Sequence, residues 1–395
     1  MRKKAMTIYL DYHASTPCDP SVVEAMLPYF LERFANPSST VHKAGQRTAN
    51  AVSAARQTVG DAIGALPAEI VFTAGATESN NLALQGLARA APSDRRRIVS
   101  SVIEHKSVLQ TLMFLQPQGF DVVLVPVDGE GSIDLAALVD AVDDTTAFVS
   151  VQAASNEIGT IQPLEEISQI AHRSGAAFHS DAAQAMGRIP IDVGAWGVDL
   201  MSLSGHKCYG PKGVGCLYVR GGVRAAPMDP LLFGGGQEGG LRPGTHNVPG
   251  IVGLAKAVEI ATESRETETE RIGVLRDRFE QLIAEQFPAV RRNGCVRRRL
   301  AGNSSLTFSG VDAEALIANL SDIAVSTGSA CSSGAIDPSH VLTAIGLSRE
   351  EAHETIRVGL GRFTMEGEVL TAAAGIAEAA KSVLQASCPE TAGAG

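Results

Sequence analysis

Short apolar runs rich in β-branched residues alternate with stretches of helical periodicity through the N-terminal half of the chain. The strand runs are Glu69–Thr73, Arg97–Val102, Asp121–Val125, Ala147–Gln152, Ala176–Ser180, Asp199–Ser202 and Val214–Val219. This alternation predicts an α/β fold, a mostly parallel sheet with helices on both faces. Ligands in such sheets bind beyond the carboxyl ends of the strands, and polar or Gly-rich clusters follow several of these runs. From about Asn247 the pattern turns helical, and Glu263 to Arg271 is so charged that it reads as a solvated connector. Beyond it, strands Ser304–Phe308, Ile323–Val325 and Thr355–Val358 alternate with helices Asp312–Leu320 and Glu366–Leu384, which predicts a smaller α+β unit.

A chain of 395 residues, 45% hydrophobic and 19% charged, buries more than one small core and is not predominantly disordered. Its net charge of −10 argues against a broad grip on nucleic acid. No apolar run approaches the ~20 residues that span a bilayer, so neither membrane nor nucleic acid is an expected partner. The opening Met1-Arg2-Lys3-Lys4 looks like the start of an export signal, but Asp11 and His13 interrupt before an apolar segment forms. Six cysteines (Cys18, Cys208, Cys216, Cys295, Cys331, Cys388) are scattered without a CxxC pair, fitting neither a disulfide framework nor a metal site. A reducing, cytoplasmic setting is expected, where any cysteine that matters acts as a thiol.

Candidate chemistry begins at Ser204-Gly205-His206-Lys207, directly after an apolar run and before Gly210-Pro211-Lys212-Gly213. An isolated lysine is usually a solvated charge. Here, however, Asp181 ends a neighbouring run, and a lysine and an aspartate so placed suit pyridoxal phosphate, as covalent anchor and as partner of the pyridine nitrogen. Gly75-Ala76-Thr77-Glu78-Ser79-Asn80 turns from a strand into a helix and offers backbone N–H groups and the Thr77 hydroxyl to an anion, although such a turn is also an ordinary helix cap. His105 projects from the end of another run, suited to stacking and proton transfer; the remaining histidines read as structural, with His42 and His206 less settled. Cys331 lies in Ser326-Thr327-Gly328-Ser329-Ala330-Cys331-Ser332-Ser333-Gly334, small residues without bulky apolar neighbours, as an accessible nucleophile requires. Arg357 alternates with apolar residues, and its guanidinium suits either a substrate carboxylate or a structural ion pair.

Taken together, these motifs make the chain resemble the cysteine desulfurases, pyridoxal-phosphate enzymes of the aminotransferase class V type. Further matching motifs are Asn36-Pro37-Ser38-Ser39, Asn156-Glu157-Ile158-Gly159, Asp181-Ala182-Ala183-Gln184 and Gly234-Gly235-Gly236-Gln237-Glu238. The Cys331 loop is similar to that of the branch serving iron–sulfur cluster assembly and tRNA thiolation. The resemblance implies the type I fold of pyridoxal-phosphate transferases, with a large seven-stranded domain over residues 21–262. Residues 263–386 would form a small domain that carries the cysteine loop and is joined by an arm, 1–20, with 387–395 as a flexible tail. It also implies that Lys207 holds the cofactor, Asp181 pairs with the pyridine nitrogen and His105 stacks on the ring. Asn156 and Gln184 would contact substrate and ring hydroxyl, Thr77, Ser204 and His206 the phosphate, and Arg357 the substrate carboxylate.

Thr245 would reach the phosphate of the other subunit, implying a homodimer. The implied reaction takes L-cysteine to L-alanine and leaves a persulfide on Cys331 for a sulfur acceptor, such as an iron–sulfur scaffold, a thiolation enzyme or a DNA sulfur-modification system. An aminotransferase or selenocysteine lyase of the same fold is the alternative. From another class comes a non-catalytic sulfur-relay or docking protein, suggested by Arg291-Arg292 and Arg297-Arg298-Arg299 around Cys295. Two departures stand out: Asp11-Tyr12-His13-Ala14-Ser15-Thr16 at the substrate entrance, and Gly239 where an arginine is common.

Overall fold

The computed structural model describes residues 7–225, 228–328 and 338–387. The described strands are Ile8–Tyr9 (β1), Ile70–Thr73 (β2), Arg97–Ser101 (β3), Asp121–Val125 (β4), Thr146–Ser150 (β5), Ala177–Asp181 (β6), Leu200–Ser204 (β7), Gly215–Val219 (β8), Val290–Asn293 (β9), Asn303–Phe308 (β10), Ile323–Ala324 (β11) and Thr355–Gly359 (β12). Seven form one sheet in the order β2-β8-β7-β6-β5-β3-β4. All its pairs are parallel except those of β8, which runs antiparallel to β2 and β7. The reason is local, since residues 205–214 are too few for the crossover that returns a strand in parallel. Because β2 and β7 both oppose β8, they run the same way. The carboxyl ends of β2, β3, β6 and β7 therefore share one edge.

β2, β7 and β8 are buried along their whole length, as strands covered on both faces must be. Helices Ala76–Ala90 and Lys106–Leu115 share one apolar cluster with Val71, Ile98, Phe148 and Leu217. Lys43–Ile63, Leu164–Arg173 and the start of a long helix pack into a second cluster with Phe72, Val99, Val149 and Phe178. Beyond this sheet lies the antiparallel sheet β12-β10-β9, together with the parallel pair β1-β11. Their core gathers Leu10, Leu306, Phe308, Ile356 and Val358 with helix Glu366–Ser387.

The long helix spans Val248–Gln286, 39 residues. Its first part, to Ala261, belongs to the core of the large sheet, and Ile272 to Ile283 belong to the core of the small one. The stretch from Glu263 to Arg271, expected to be a solvated connector, is uninterrupted helix and is not simply solvated. Glu268 accepts from Arg362 at 2.6 Å, and Arg271 donates to the carbonyl oxygens of Thr364 and Arg362 at 2.9 and 2.7 Å. No helix among the described residues is long and apolar enough to cross a membrane.

Candidate active site

Lys207 ends a short helical turn, Gly205–Lys207, that follows β7. Its Nζ donates to the carbonyl oxygens of His13 and Ala14 at 2.6 and 2.9 Å. The His13 oxygen also accepts from Gln184 Nε2 at 3.0 Å, so Lys207 and Gln184 converge on one atom. Asp181 is the last residue of β6, beside β7. One of its oxygens accepts the Ala183 N–H at 2.9 Å, and the other accepts from Asn80 Nδ2 at 2.7 Å.

His105 caps helix Lys106–Leu115. Its Nδ1 accepts the Ser107 N–H at 3.1 Å and faces Ser107 Oγ at 2.8 Å. With Nδ1 an acceptor, the neutral ring carries its proton on Nε2. Asn80 Nδ2 also donates to Ser107 Oγ at 2.8 Å, so His105, Ser107, Asn80 and Asp181 form one chain of polar contacts. Next to His105, burial raises the Glu104 carboxyl well above its ordinary range despite the Gln152 N–H it accepts, and nearby Asp181 raises it further.

The Gly75 turn lies at the end of β2, at the same edge. Gly75 has φ +145°, and no side chain caps the helix that follows, Ala76–Ala90. A Cβ on Gly75 would lie 3.8 Å from Ser204 Oγ, so that hydroxyl borders the turn. Thr77 is exposed there. His206 Nδ1 lies 3.2 Å from Ser15 Oγ, and burial, with Lys207 and Lys212 nearby, holds its pKa down at about 4.

Arg357, on β12, is buried and donates to Asp11 Oδ1 at 2.7 Å, an ion pair of the kind weighed against the substrate role. It also donates to the carbonyl oxygens of Asn156 and Gly328 at 3.1 and 3.2 Å. Among the described residues its buried Nε has no hydrogen-bond partner. Asp11 and His13 sit on one arm, which therefore touches Arg357 at one end and Lys207 at the other. Thr245 is exposed in the loop after Glu238. Cys331 lies outside the described residues, as do 388–395 of the expected tail.

Several assignments change. Cys208, beside Lys207, is buried with its thiol pushed up to about 11 by burial, so it is an inert core residue. His42 caps helix Lys43–Ile63 by accepting the Gly45 N–H at 3.0 Å. Gly239 has φ +65°, and a Cβ there would stand 3.2 Å from Val223 Cγ1, so an arginine would be strained in this turn. His13, read as merely structural, is buried in the site, where burial and Arg188 hold its pKa well below the ordinary range. Its Nδ1 lies 3.2 Å from Gln184 Oε1 and 3.3 Å from Arg188. Arg188, Asn80 and Ser107 were given no role by the sequence pattern.

A lysine, an aspartate and a histidine at one edge of a mostly parallel sheet define an α/β enzyme rather than a binding module. Residues 8–371 match the model of the family described as Aminotransferase class-V, and the chain belongs to that family. It is 49% identical over 364 residues to the cysteine desulfurase IscS of Rickettsia africae (strain ESF-5), covering 92% of this chain and 88% of the relative. A solved structure described as a NifS-like protein superposes with TM-score 0.88 at 37% identity, covering 94% of this chain and 99% of its own. SspA in complex with cysteine superposes with TM-score 0.79 at 41% identity, covering 90% of this chain and 99% of its own.

Proposed function

We propose that the protein is a cysteine desulfurase that uses pyridoxal 5'-phosphate to convert L-cysteine to L-alanine and to place sulfur on Cys331 as a persulfide. The observation that carries this reading is the hydrogen bond from Arg357 to the Gly328 carbonyl at 3.2 Å. Cys331 is three residues on, so covalent geometry keeps its Cα within roughly 11 Å of the Gly328 Cα. Arg357 in turn meets the Asp11–Ala14 arm that receives Lys207. The carboxylate clamp, the amine and the root of the thiol-bearing segment thus stand together.

The residues present fit the cofactor. The uncapped turn at Gly75, with Ser204, Thr77 and His206, suits its phosphate, and Asp181, held by Asn80, suits a protonated ring nitrogen. Lys207 would hold it covalently, His105 would stack on it, and Gln184 and Asn156 would contact its ring hydroxyl and the substrate. When bound, it supplies the electron-accepting ring that the chain lacks.

Arg357 takes the substrate carboxylate, with its unpartnered Nε as a ready donor. The Cys331 thiolate attacks the substrate sulfur. An S–S bond forms and the substrate Cβ–S bond breaks, its electron pair staying with the carbon, which then takes up a proton. His105 Nε2 and Lys207 are the groups that move protons there. The net change is L-cysteine plus enzyme thiol to L-alanine plus enzyme persulfide.

A homodimer is supported by the exposed loop carrying Thr245 and by Leu232 and Phe233, 51% and 86% exposed; Thr245 would reach the partner's cofactor phosphate. The separate apolar cores support the division at residues 262 and 263. A reducing, cytoplasmic compartment suits the free thiols of Cys18, Cys208, Cys216 and Cys295. The acceptor would be an iron–sulfur scaffold, a tRNA-thiolation enzyme or a DNA sulfur-modification system, the first supported by the name of the Rickettsia relative. To test the reading, the holoenzyme is given L-cysteine: alanine and a Cys331 persulfide are expected, and Cys331→Ser keeps the cofactor absorbance but forms no persulfide. A keto acid product, or undiminished sulfur release by that variant, would overturn it.

A further inference from the structure

We infer that Glu157 is a positioning residue that holds together the two roots of the segment carrying Cys331, by a hydrogen bond at one and close packing at the other. The inference rests on the desulfurase reading and adds to it a residue that the resemblance leaves without a role. Glu157 is buried in the turn Asn156-Glu157-Ile158-Gly159, at the seam between the two sheets. Three contacts fix that turn. Asn303 Nδ2 donates to the Glu157 carbonyl at 3.2 Å, the Leu300 N–H donates to the Gly159 carbonyl at 2.9 Å, and Arg357 donates to the Asn156 carbonyl at 3.1 Å.

From this platform the Glu157 carboxylate faces both ends of the segment. On the far side, Ser339 Oγ donates to Glu157 Oε2 at 2.5 Å. The same hydroxyl accepts the Val341 and Leu342 N–H groups at 3.1 and 3.3 Å, so it caps helix His340–Ala344. On the near side, Gly328 packs so closely that a Cβ would meet Glu157 Oε2 at 3.0 Å, and its φ of +90° also excludes most side chains. A second tie follows at once, where His340 Nε2 meets the Glu104 carbonyl oxygen at 2.9 Å, one residue before His105.

The chain between Gly328 and Ser339 therefore leaves and returns beside one carboxylate oxygen. Bonding one root and crowding the other would hold the two roots together and raise the effective concentration of the thiol at the substrate sulfur. Glu157 is not among the residues assigned to substrate or cofactor, so its loss should slow sulfur transfer without altering their binding.

The test measures single-turnover persulfide formation by the holoenzyme, alongside cofactor absorbance and the Kd for L-cysteine. Glu157→Ala should slow the step at least tenfold, with absorbance unchanged and Kd within about twofold. Glu157→Gln keeps an acceptor for Ser339 and should stay within about threefold of wild type. Ser339→Asp retains the helix cap but sets two carboxylates together, and should be as slow as Glu157→Ala; adding Glu157→Gln to it supplies an amide donor and should restore most of the rate. Wild-type rates in Glu157→Ala, parallel loss of cofactor absorbance, or failure of the paired substitution to recover would overturn the clamp. Absence of persulfide from the wild-type enzyme would instead overturn the desulfurase reading.

Discussion

Glu238 offers the most quantitative test of how this site is built. It accepts from Arg56 at 2.5 and 2.7 Å, from the Phe72 N–H at 2.9 Å, and it meets His246 Nε2 at 2.6 Å. Burial alone would raise its pKa, but the His246 and Arg56 bonds and the Phe72 N–H outweigh that and hold it at about 2, against an ordinary 4.5. The native pKa is depressed, so the associated stability is present above pH 4.5 and drains away as pH falls towards 2. Those 2.5 units correspond to about 3 kcal/mol. Glu238→Gln should forfeit that amount near neutrality, lowering Tm by about 4 °C for a transition spanning the chain. It should also loosen the loop bearing Thr245 and weaken retention of the cofactor. Urea or thermal unfolding of both proteins from pH 8 to 3 is the assay. The gap should stay level from pH 8 to about 5 and narrow below 4.5; a gap that closes between pH 8 and 6, or is absent at pH 7, refutes the reasoning.

His206 in the cofactor-free chain should remain neutral until about pH 4, so its contribution to stability is full above 6.5 and is lost as pH falls from 6.5 to 4. Inorganic phosphate at the Gly75 turn should raise that pKa and bind more tightly as pH falls through the same window. An imidazole NMR titration unmoved by phosphate would contradict this placement of the anion. Asn80→Ala should lower kcat about tenfold, roughly 1.4 kcal/mol, with KM for L-cysteine within twofold. Asn80→Asp, which sets a second carboxylate against Asp181, should be worse, and wild-type kcat in that variant would show that the contact is idle.

The large sheet was legible because most of its strands are largely buried and carry apolar stretches, and even the half-exposed edge strand β4 is rich in valine. β9 was not, since Arg291 and Arg292 interrupt its apolar character; the structure balances them against Glu351 and Glu280 at 2.8 and 3.1 Å. Lys207 and Asp181 could be paired from the sequence because each ends a recognisable run. His13 could not be placed, because the arm that delivers it to Lys207 comes from the opposite end of the chain and shows no periodicity. Asn80 and Ser107 were hidden for another reason: side chains on two helices that ordinarily cap or bond locally meet here across space. Arg357 was ambiguous by nature, because a buried guanidinium reads the same in sequence whether it serves a substrate, holds a partner such as Asp11, or does both.

The helix Val248–Gln286 bears on how sulfur can travel. Its 39 residues make a rod of roughly 58 Å, embedded at one end in the large apolar core and at the other in the small one. A hinge between the halves would have to bend this rod or tear out one of its anchored ends. On the proposed reading, delivery to an acceptor would therefore call for displacement of a few residues against a stiff chassis, and the acceptor would have to dock close to the sheet edge rather than wait for the enzyme to open.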